Sequence, residues 1–394
     1  MRQPRSTDVA ACSDPEMFSA PAQLRAQHAK LKHWLVAEAY PLWASGGYDH
    51  MHGGFQELLD SGGPVACAPR RARVQVRQIY CFARAAGLGW RGDAAKLVTR
   101  GWEYFLRRYR RADGLFRTLI AADGTVLDDR ALLYDQAFVL LALAESCRFL
   151  GVTPDLDVVT ESLLVAIQWR FRCAGPGFVE EGTDGQSPLP NPHMHMLEAA
   201  QNWSSIDDRG QWHELAEEII ALALDRMIDP RSGALFEPSA GAGRQLEPGH
   251  QYEWAWLLLR CRGSTRERAA AAAARLIHSV ERHGVRDSLV IMALSEDLIP
   301  YDSSARLWSQ TERLKAALAM MATTKQHDYQ AMAADAIGML LRYLRADAPG
   351  LWWDRLNAEG EIVREPAPAS TFYHLVCAIG ELGALTGSTG DHDA

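Results

Sequence analysis

Apolar residues recur at three- and four-residue spacing in twelve stretches of the chain: 24–43, 73–86, 94–109, 132–149, 156–171, 195–202, 212–227, 252–260, 266–280, 307–321, 329–343 and 372–385. That period puts them on one side of an α-helix, so each stretch is expected to form one. Two of them, LLYDQAFVLLALAE from Leu132 and YEWAWLLLR from Tyr252, are apolar nearly all round. Helices of that kind need burial on every side.

A second pattern lies between the helices. A glycine or its equivalent, an apolar or aromatic pair and then polar turn residues recur six times. The copies are GGFQELLDSGG from Gly53, GLFRTLIAADG from Gly114, PGFVEEGTDG from Pro176, GALFEPSAGAG from Gly233, a weaker SLVIMALSEDL from Ser288 and GLWWDRLNAEG from Gly350. Several read as short hairpins turning at ADG or AEG. The order helix, hairpin, helix, short turn, repeated six times, predicts an all-α (α/α)6 barrel with short β-hairpins in the loops at one end. One domain is expected over residues 21–387, between a flexible segment at 1–20 and a flexible tail at 388–394.

If each hairpin leads into an inner helix, six helix heads meet at one mouth. About 15 to 24 residues after each hairpin start stands an unusual polar residue at the head of an apolar stretch: Arg77, Tyr134 with Asp135, Asn191 with His195, His250 with Glu253, Glu312, and His374. A lone histidine on an apolar helix is usually a satisfied core residue. Recurrence in every repeat favours a shared cavity instead. Trp308, Trp352 and Trp353 fall at loop–helix junctions, where flat aromatic faces suit the C–H face of a pyranose. Trp256 reads as core.

Composition narrows the partners. With 48% hydrophobic and 23% charged residues over 394 positions and a formal net charge of -8, the chain carries no basic stripe, which argues against nucleic acid. The polar N-terminus holds no apolar leader run, and no stretch is long enough to span a membrane, so a cytoplasmic protein is expected. Seven scattered cysteines without a CxxC pair read as reduced thiols. His193 and His195 stand two apart, which a helix aims in different directions, and no HExxH motif occurs. Neither metal nor cofactor is expected.

At these residues the chain resembles the N-acylglucosamine 2-epimerase superfamily, which includes cellobiose 2-epimerases and mannose isomerases. The matching segments are RVQVRQIYCFA from Arg73, LLYDQAFVLLALAE from Leu132, NPHMHMLEA from Asn191, EPGHQYEWAWLL from Glu247, LWSQTERLKA from Leu307 and STFYHL from Ser370. The resemblance implies that His250 and His374 are catalytic, and that Arg77, Asn191, His195, Glu253 and Glu312 line the sugar site, joined on the reading above by Tyr134 and Trp308. It also implies a homodimer. The loop EPSAGAGRQL before the PGH motif departs from the family pattern, and Arg244 within it is a further candidate for substrate contact.

The chemistry implied is proton transfer at C2 of an open-chain aldose. Histidine suits it because both its forms are accessible near neutrality. Arg77 would stabilise the enediolate, and Glu253, three residues after His250, would orient that imidazole. Two bases on opposite faces give C2 epimerisation, the leading expectation; one base moving a proton from C2 to C1 gives aldose–ketose isomerisation, the alternative. An (α/α)6 glycoside hydrolase, which needs two flanking carboxyls, and a non-catalytic sugar-binding protein are remoter alternatives.

Overall fold

The computed structural model describes residues 22–180, 188–238, 243–324, 328–344 and 346–387. The segments expected to be flexible, 1–20 and 388–394, lie outside the described residues, as do parts of the third and fourth repeat loops. Helix α1 (Ala22–Trp34) passes through a π turn (Leu35–Ala39) into α2 (Tyr40–Ser45), forming one rod. There follow α3 (Ala72–Ala85), α4 (Ala94–Tyr109), α5 (Leu133–Leu150), α6 (Pro154–Phe171), α7 (Pro190–Trp203) and α8 (Gln211–Leu222). The last are α9 (Pro248–Leu259), α10 (Arg266–His283), α11 (Leu307–Thr324), α12 (Asp328–Tyr343) and α13 (Ala369–Thr386).

The odd-numbered helices from α3 to α13 form a closed inner ring. Each packs on the next, and α13 packs back on α3. The even-numbered helices α4 to α12, with the first rod, clothe them from outside. Burial follows the ring: α9 is buried from Pro248 through Leu258, whereas α10 hides mainly its alanine, leucine and isoleucine face. This is the expected (α/α)6 barrel.

Three inner helices begin earlier than their apolar period suggests, at Pro190, Pro248 and Ala369 rather than at residues 195, 252 and 372. Proline in the first turn explains α7 and α9, because the N–H it lacks would have no intrahelical partner there. Pro368 stands at the N-cap of α13. Asn191 and His250 are therefore first-turn residues rather than loop residues.

The short strands stitch the repeats together. β1 (Leu58–Asp60) and β2 (Gly63–Pro64) form the first hairpin, and β3 (Arg70–Arg71) leads into α3. β4 (Leu119–Ile120) and β5 (Val126–Asp128) turn at Gly124, whose φ of 92° favours glycine. β6 (Glu237–Pro238) and β7 (Arg244–Leu246) precede α9, and β8 (Val285–Arg286) pairs with β9 (Leu289–Val290). β10 (Ala293–Ser295), β11 (Pro300–Asp302) and β12 (Ala305–Arg306) precede α11, while β13 (Arg355–Leu356), β14 (Ile362–Val363) and β15 (Ala367–Pro368) precede α13. β3 pairs with β4, β7 with β10, β12 with β13, and β15 returns to β1. A strand entering an inner helix thus pairs with the hairpin of the following repeat, and the last pairing closes the circle.

Five of the six repeat loops are also pinned to their own inner helix. Gln75, Gln136, Gln251 and Gln310 each accept from one backbone N–H and donate to the same residue's carbonyl, at Phe55, Phe116, Leu235 and Val290 respectively, over 2.7–3.1 Å. His193 takes the role in the third repeat, its Nε2 accepting from Phe178 N–H at 2.9 Å. These pegs satisfy backbone groups that burial would otherwise leave unpaired.

Candidate active site

Two residues beyond a peg, a helix has turned by about 200°, so the side chain there points away from the hairpin toward the barrel axis. Arg77, His195, Glu253 and Glu312 each stand two residues after a peg at Gln75, His193, Gln251 and Gln310. With first-turn residues, the first three of these bound a cavity of about 310 Å³, walled by Arg71, Arg73, Arg77, Tyr134, Asn191, His195, Glu247, His250, Glu253, Met292, Arg306, Trp308, Ser370, Thr371 and His374. Of the nine expected site residues, eight share this cavity. Glu312 does not line it; fully buried, it stands behind His374.

The two motif histidines flank one indole. Ring centroids are 5.0 Å apart for His250 and Trp308, and 5.7 Å for Trp308 and His374. Each histidine gives its Nδ1 to a carboxylate: His250 to Glu237 Oε1 at 2.7 Å, His374 to Glu312 Oε1 at 2.8 Å. Nε2 is then the nitrogen left for a ligand. The charge states diverge. Burial pushes the His374 imidazole down to about 4, against the pull of Glu312. Burial acts on His250 too, but Glu237 and Glu247, the latter 3.6 Å from Nδ1, outweigh it and hold that imidazole well above its ordinary value.

Arg77 lies flat among aromatic rings, with Cζ 4.0 Å from the Phe138 centroid and 5.2 Å from that of Tyr373. Its Nη2 donates to Tyr134 Oη at 2.8 Å. The buried Asn191 Oδ1 has no protein partner among the described residues. Burial lowers His195 to about 4. Burial and the nearby Glu312 raise Glu253 to about 8, so that carboxyl is protonated at neutral pH.

Several expectations need correction. Glu253 does not orient His250: its Oε1 lies 3.9 Å from His195 Nδ1, and the carboxylates on His250 come from the hairpin and the strand before α9. An i,i+3 spacing puts two side chains on one helix face but does not make them partners. Trp352 is core, stacked on Trp43 with centroids 5.0 Å apart, and Trp353 lies over a surface cleft beside Arg364. Arg244 is half exposed, paired with Glu296, and outside the cavity. Sequence reasoning missed Glu237, Glu247, Arg71, Arg73 and Arg306. Arg71 binds Glu57 through two nitrogens, Arg73 binds the buried Asp135, and Arg306 binds the buried Asp354. The regular position of the arginines just before or within the first turn was the available signal.

Linear motifs hid a further feature. The sets His195–Glu198–Glu253, Glu237–Glu247–His250 and Glu253–Glu312–His374 each bring ligand atoms within 4.8 Å of one another. A divalent ion could be held at such sets. In the third, however, Lys315 Nζ already stands 2.6 Å from Glu312 Oε2 and supplies positive charge.

Fold and cavity together define the class: an (α/α)6-barrel carbohydrate isomerase, a class that includes epimerases and aldose–ketose isomerases. The N-acylglucosamine 2-epimerase (GlcNAc 2-epimerase) family model matches residues 53–378, and the chain belongs to that family. It is 43% identical over 90% of its length to a mannose-6-phosphate isomerase of Rhizobium meliloti (strain 1021), covering 96% of that protein. It is 24% identical to the human N-acylglucosamine 2-epimerase over 55% of each chain. A crystal structure of D-mannose isomerase superposes with a TM-score of 0.80 at 20% identity, over 93% of this chain and 99% of that one, which speaks for the fold. Among the described residues no helix is long and apolar enough to cross a membrane.

Proposed function

We propose that the cavity transfers a proton at C2 of an open-chain aldose, with His374 as the base and His250 as the acid. The observation that carries this reading is that two imidazoles flank one indole, each with Nδ1 on a carboxylate and Nε2 left for a ligand, in surroundings that lower the pKa of His374 and raise that of His250. A neutral Nε2 can take the C2 proton, and an imidazolium can give one to the sugar. Arg77, held by its aromatic neighbours, supplies fixed positive charge where the enediolate oxygen develops. Asn191 and the protonated Glu253 offer hydrogen bonds to hydroxyls, and Trp308 offers a flat face to the ring.

The product we place first is a ketose, formed from a mannose-configured aldose. Identity of 43% to a protein named for mannose-6-phosphate isomerisation supports this outcome over the sequence-based ordering. Arg71, Arg73 and Arg306 at the mouth, each held in place by a buried or nearly buried carboxylate, also suit a phosphate on the sugar. C2 epimerisation is the second reading. Histidines on two different inner helices favour it, since each could serve a different face of C2. Both outcomes belong to the family.

The test is NMR of mannose, mannose 6-phosphate, glucose and N-acetylglucosamine incubated in heavy water, with and without exhaustive chelation. The expected result is conversion of a mannose-type sugar to ketose, with solvent deuterium at C1 of the ketose and at C2 of the re-formed aldose, unaffected by chelator. Release of a reducing end from an oligosaccharide, or no exchange with any of these sugars, would overturn the reading. Loss on chelation with rescue by one divalent ion would assign the carboxylate–histidine sets to a metal.

A further inference from the structure

Beneath the cavity floor lies a charge that the proposed proton transfer does not use. Lys315 follows Glu312 by three residues on α11 and is fully buried. Its Nζ forms an ion pair with Glu312 Oε2 at 2.6 Å and lies 3.7 Å from the centroid of the Trp256 ring. A lysine in such surroundings ordinarily sheds its proton. Here burial is outweighed chiefly by the ionised Glu312, with Glu198 from α7, and the ammonium is held charged. Glu198 itself accepts from Tyr373 Oη of α13 at 2.5 Å, and Cys377 of α13 lies against Tyr80 of α3. His374 meets Glu312, Arg77 and Lys315.

The two oxygens of Glu312 are divided between two partners, Oε2 for Lys315 and Oε1 for His374 Nδ1. We propose that Lys315 is a positioning residue for the proton transfer: its ammonium keeps Glu312 ionised, and the ionised carboxylate locks His374 in the tautomer with hydrogen on Nδ1 and a bare Nε2. The reasoning is one of proton count. An ionised Glu312 can only accept, so His374 must donate from Nδ1. A protonated Glu312 would donate to Nδ1, place the imidazole hydrogen on Nε2, and leave no lone pair facing the cavity. One lysine serves three carboxylates, and their states divide accordingly. Glu312 is held below its ordinary range, and Glu198 is lowered to about 2 despite burial; Glu253, raised to about 8, carries the proton. A buried ion pair is by itself weak evidence for stability, and this one is aimed at the base.

This inference rests on the reading of His374 as base, and its test separates the two. In the wild-type protein, ¹⁵N spectra of the His374 imidazole should show hydrogen on Nδ1 and a bare Nε2 from pH 6 to 9. The opposite tautomer would overturn the proposal whatever the protein does to sugars. Lys315→Met should then lower kcat roughly a hundredfold at pH 7, the scale seen or exceeded when a catalytic histidine is held in the wrong tautomer. KM should change little. The acid limb of kcat/KM should move up by several pH units, to about two units above pH 7, where a single protonation gives a hundredfold loss at pH 7, because Glu312 and His374 both lose a neighbouring cation, so activity recovers partly at alkaline pH. Lys315→Met with Glu312→Gln removes both charges, should fold at least as well as Lys315→Met alone, and should show no alkaline recovery. A Lys315→Met protein with the wild-type pH profile, and activity reduced only in step with its folded fraction, would make Lys315 purely structural. Should Lys315→Met not fold, the wild-type spectrum and the double variant decide the matter.

Discussion

The two histidines are supported from opposite directions. His250 leans outward on the loop end of the barrel, where Glu237 arrives from a hairpin and Glu247 from the residue before α9. His374 leans inward on Glu312, and through it on Lys315, inside the ring of helices. Both are largely buried. What separates them is the charge around them: two carboxylates for the first, one carboxylate already shared with an ammonium for the second. Burial then wins at His374 and loses at His250. On the proposed reading, identical side chains in one cavity thereby become a base and an acid, and the part of the fold that supplies the carboxylates decides which is which.

The sharpest way to break this comparison is to remove each imidazole in turn. His374→Ala should lower the rate of C2-hydrogen exchange by about 10³-fold, within the range of a general base, with helical circular dichroism unchanged. His250→Ala should lower turnover to a similar degree but exchange by about ten times less, since the base is still present. Faster exchange in His374→Ala than in His250→Ala, read by NMR in heavy water, would reverse the roles.

Arg77→Lys comes next, with an expected fall in kcat/KM of about a hundredfold, near that of Arg77→Ala. A planar guanidinium fits between the Phe138 and Tyr373 rings and donates to Tyr134; a lysine keeps the charge but neither the plane nor the fork. Steady-state rates near wild type for Arg77→Lys would mean that charge alone acts there.

The supports themselves can be tested by pH. On the proposed roles, activity needs His374 neutral and His250 protonated. It should therefore fade as pH drops through about 4, where His374 takes a proton, and fade on the alkaline side only well above the ordinary histidine value, where His250 loses one. Glu237→Gln removes the nearer carboxylate from His250, lowers its pKa, and should bring the alkaline limb of kcat/KM down by about one unit while leaving the acid limb in place. A shift of the acid limb instead would show that Glu237 serves the base.

The same division between axis and loops governs what could be read from the sequence. The barrel was legible because the apolar period and the sixfold loop element are local signals, and Arg77, His195, His250 and His374 stood out as polar residues at apolar helix heads. The peg glutamines recur in the same register in four of the six repeats, yet glutamine in a helix is unremarkable in composition, so Gln75 and Gln251 drew no notice. Glu237 was missed because it reaches His250 from another element, a placement that only the pairing of β6 with β7 and of β7 with β10 determines. Trp352 and Trp308 occupy similar junctions in the sequence. Only packing separates the one stacked on Trp43 from the one facing the cavity.

The smallest expected effect belongs to Glu253, and it tests the correction to its role. Sequence spacing made it a carboxylate orienting His250. In the structure it is buried beside His195, with Glu312 near and Lys315 largely committed elsewhere, so its carboxyl is raised to about 8. A protonated carboxyl offers one O–H donor and a carbonyl acceptor, and a glutamine amide of nearly the same shape offers both. Glu253→Gln should therefore cost less than about threefold in kcat at pH 7, since it replaces a neutral group with a neutral group and leaves no buried charge unpaired. The effect should also change with pH. Above about 8 the wild-type carboxyl ionises next to Glu312 and Glu198, an added negative charge that the variant cannot acquire, so the ratio of variant to wild-type kcat should rise there. An ionised Glu253 orienting His250 gives the opposite pattern: a loss of a hundredfold or more at pH 7, and an alkaline limb displaced downward as in Glu237→Gln. Titrating both variants side by side distinguishes a carboxylate that sets the charge of the acid from a carboxyl that only holds the sugar.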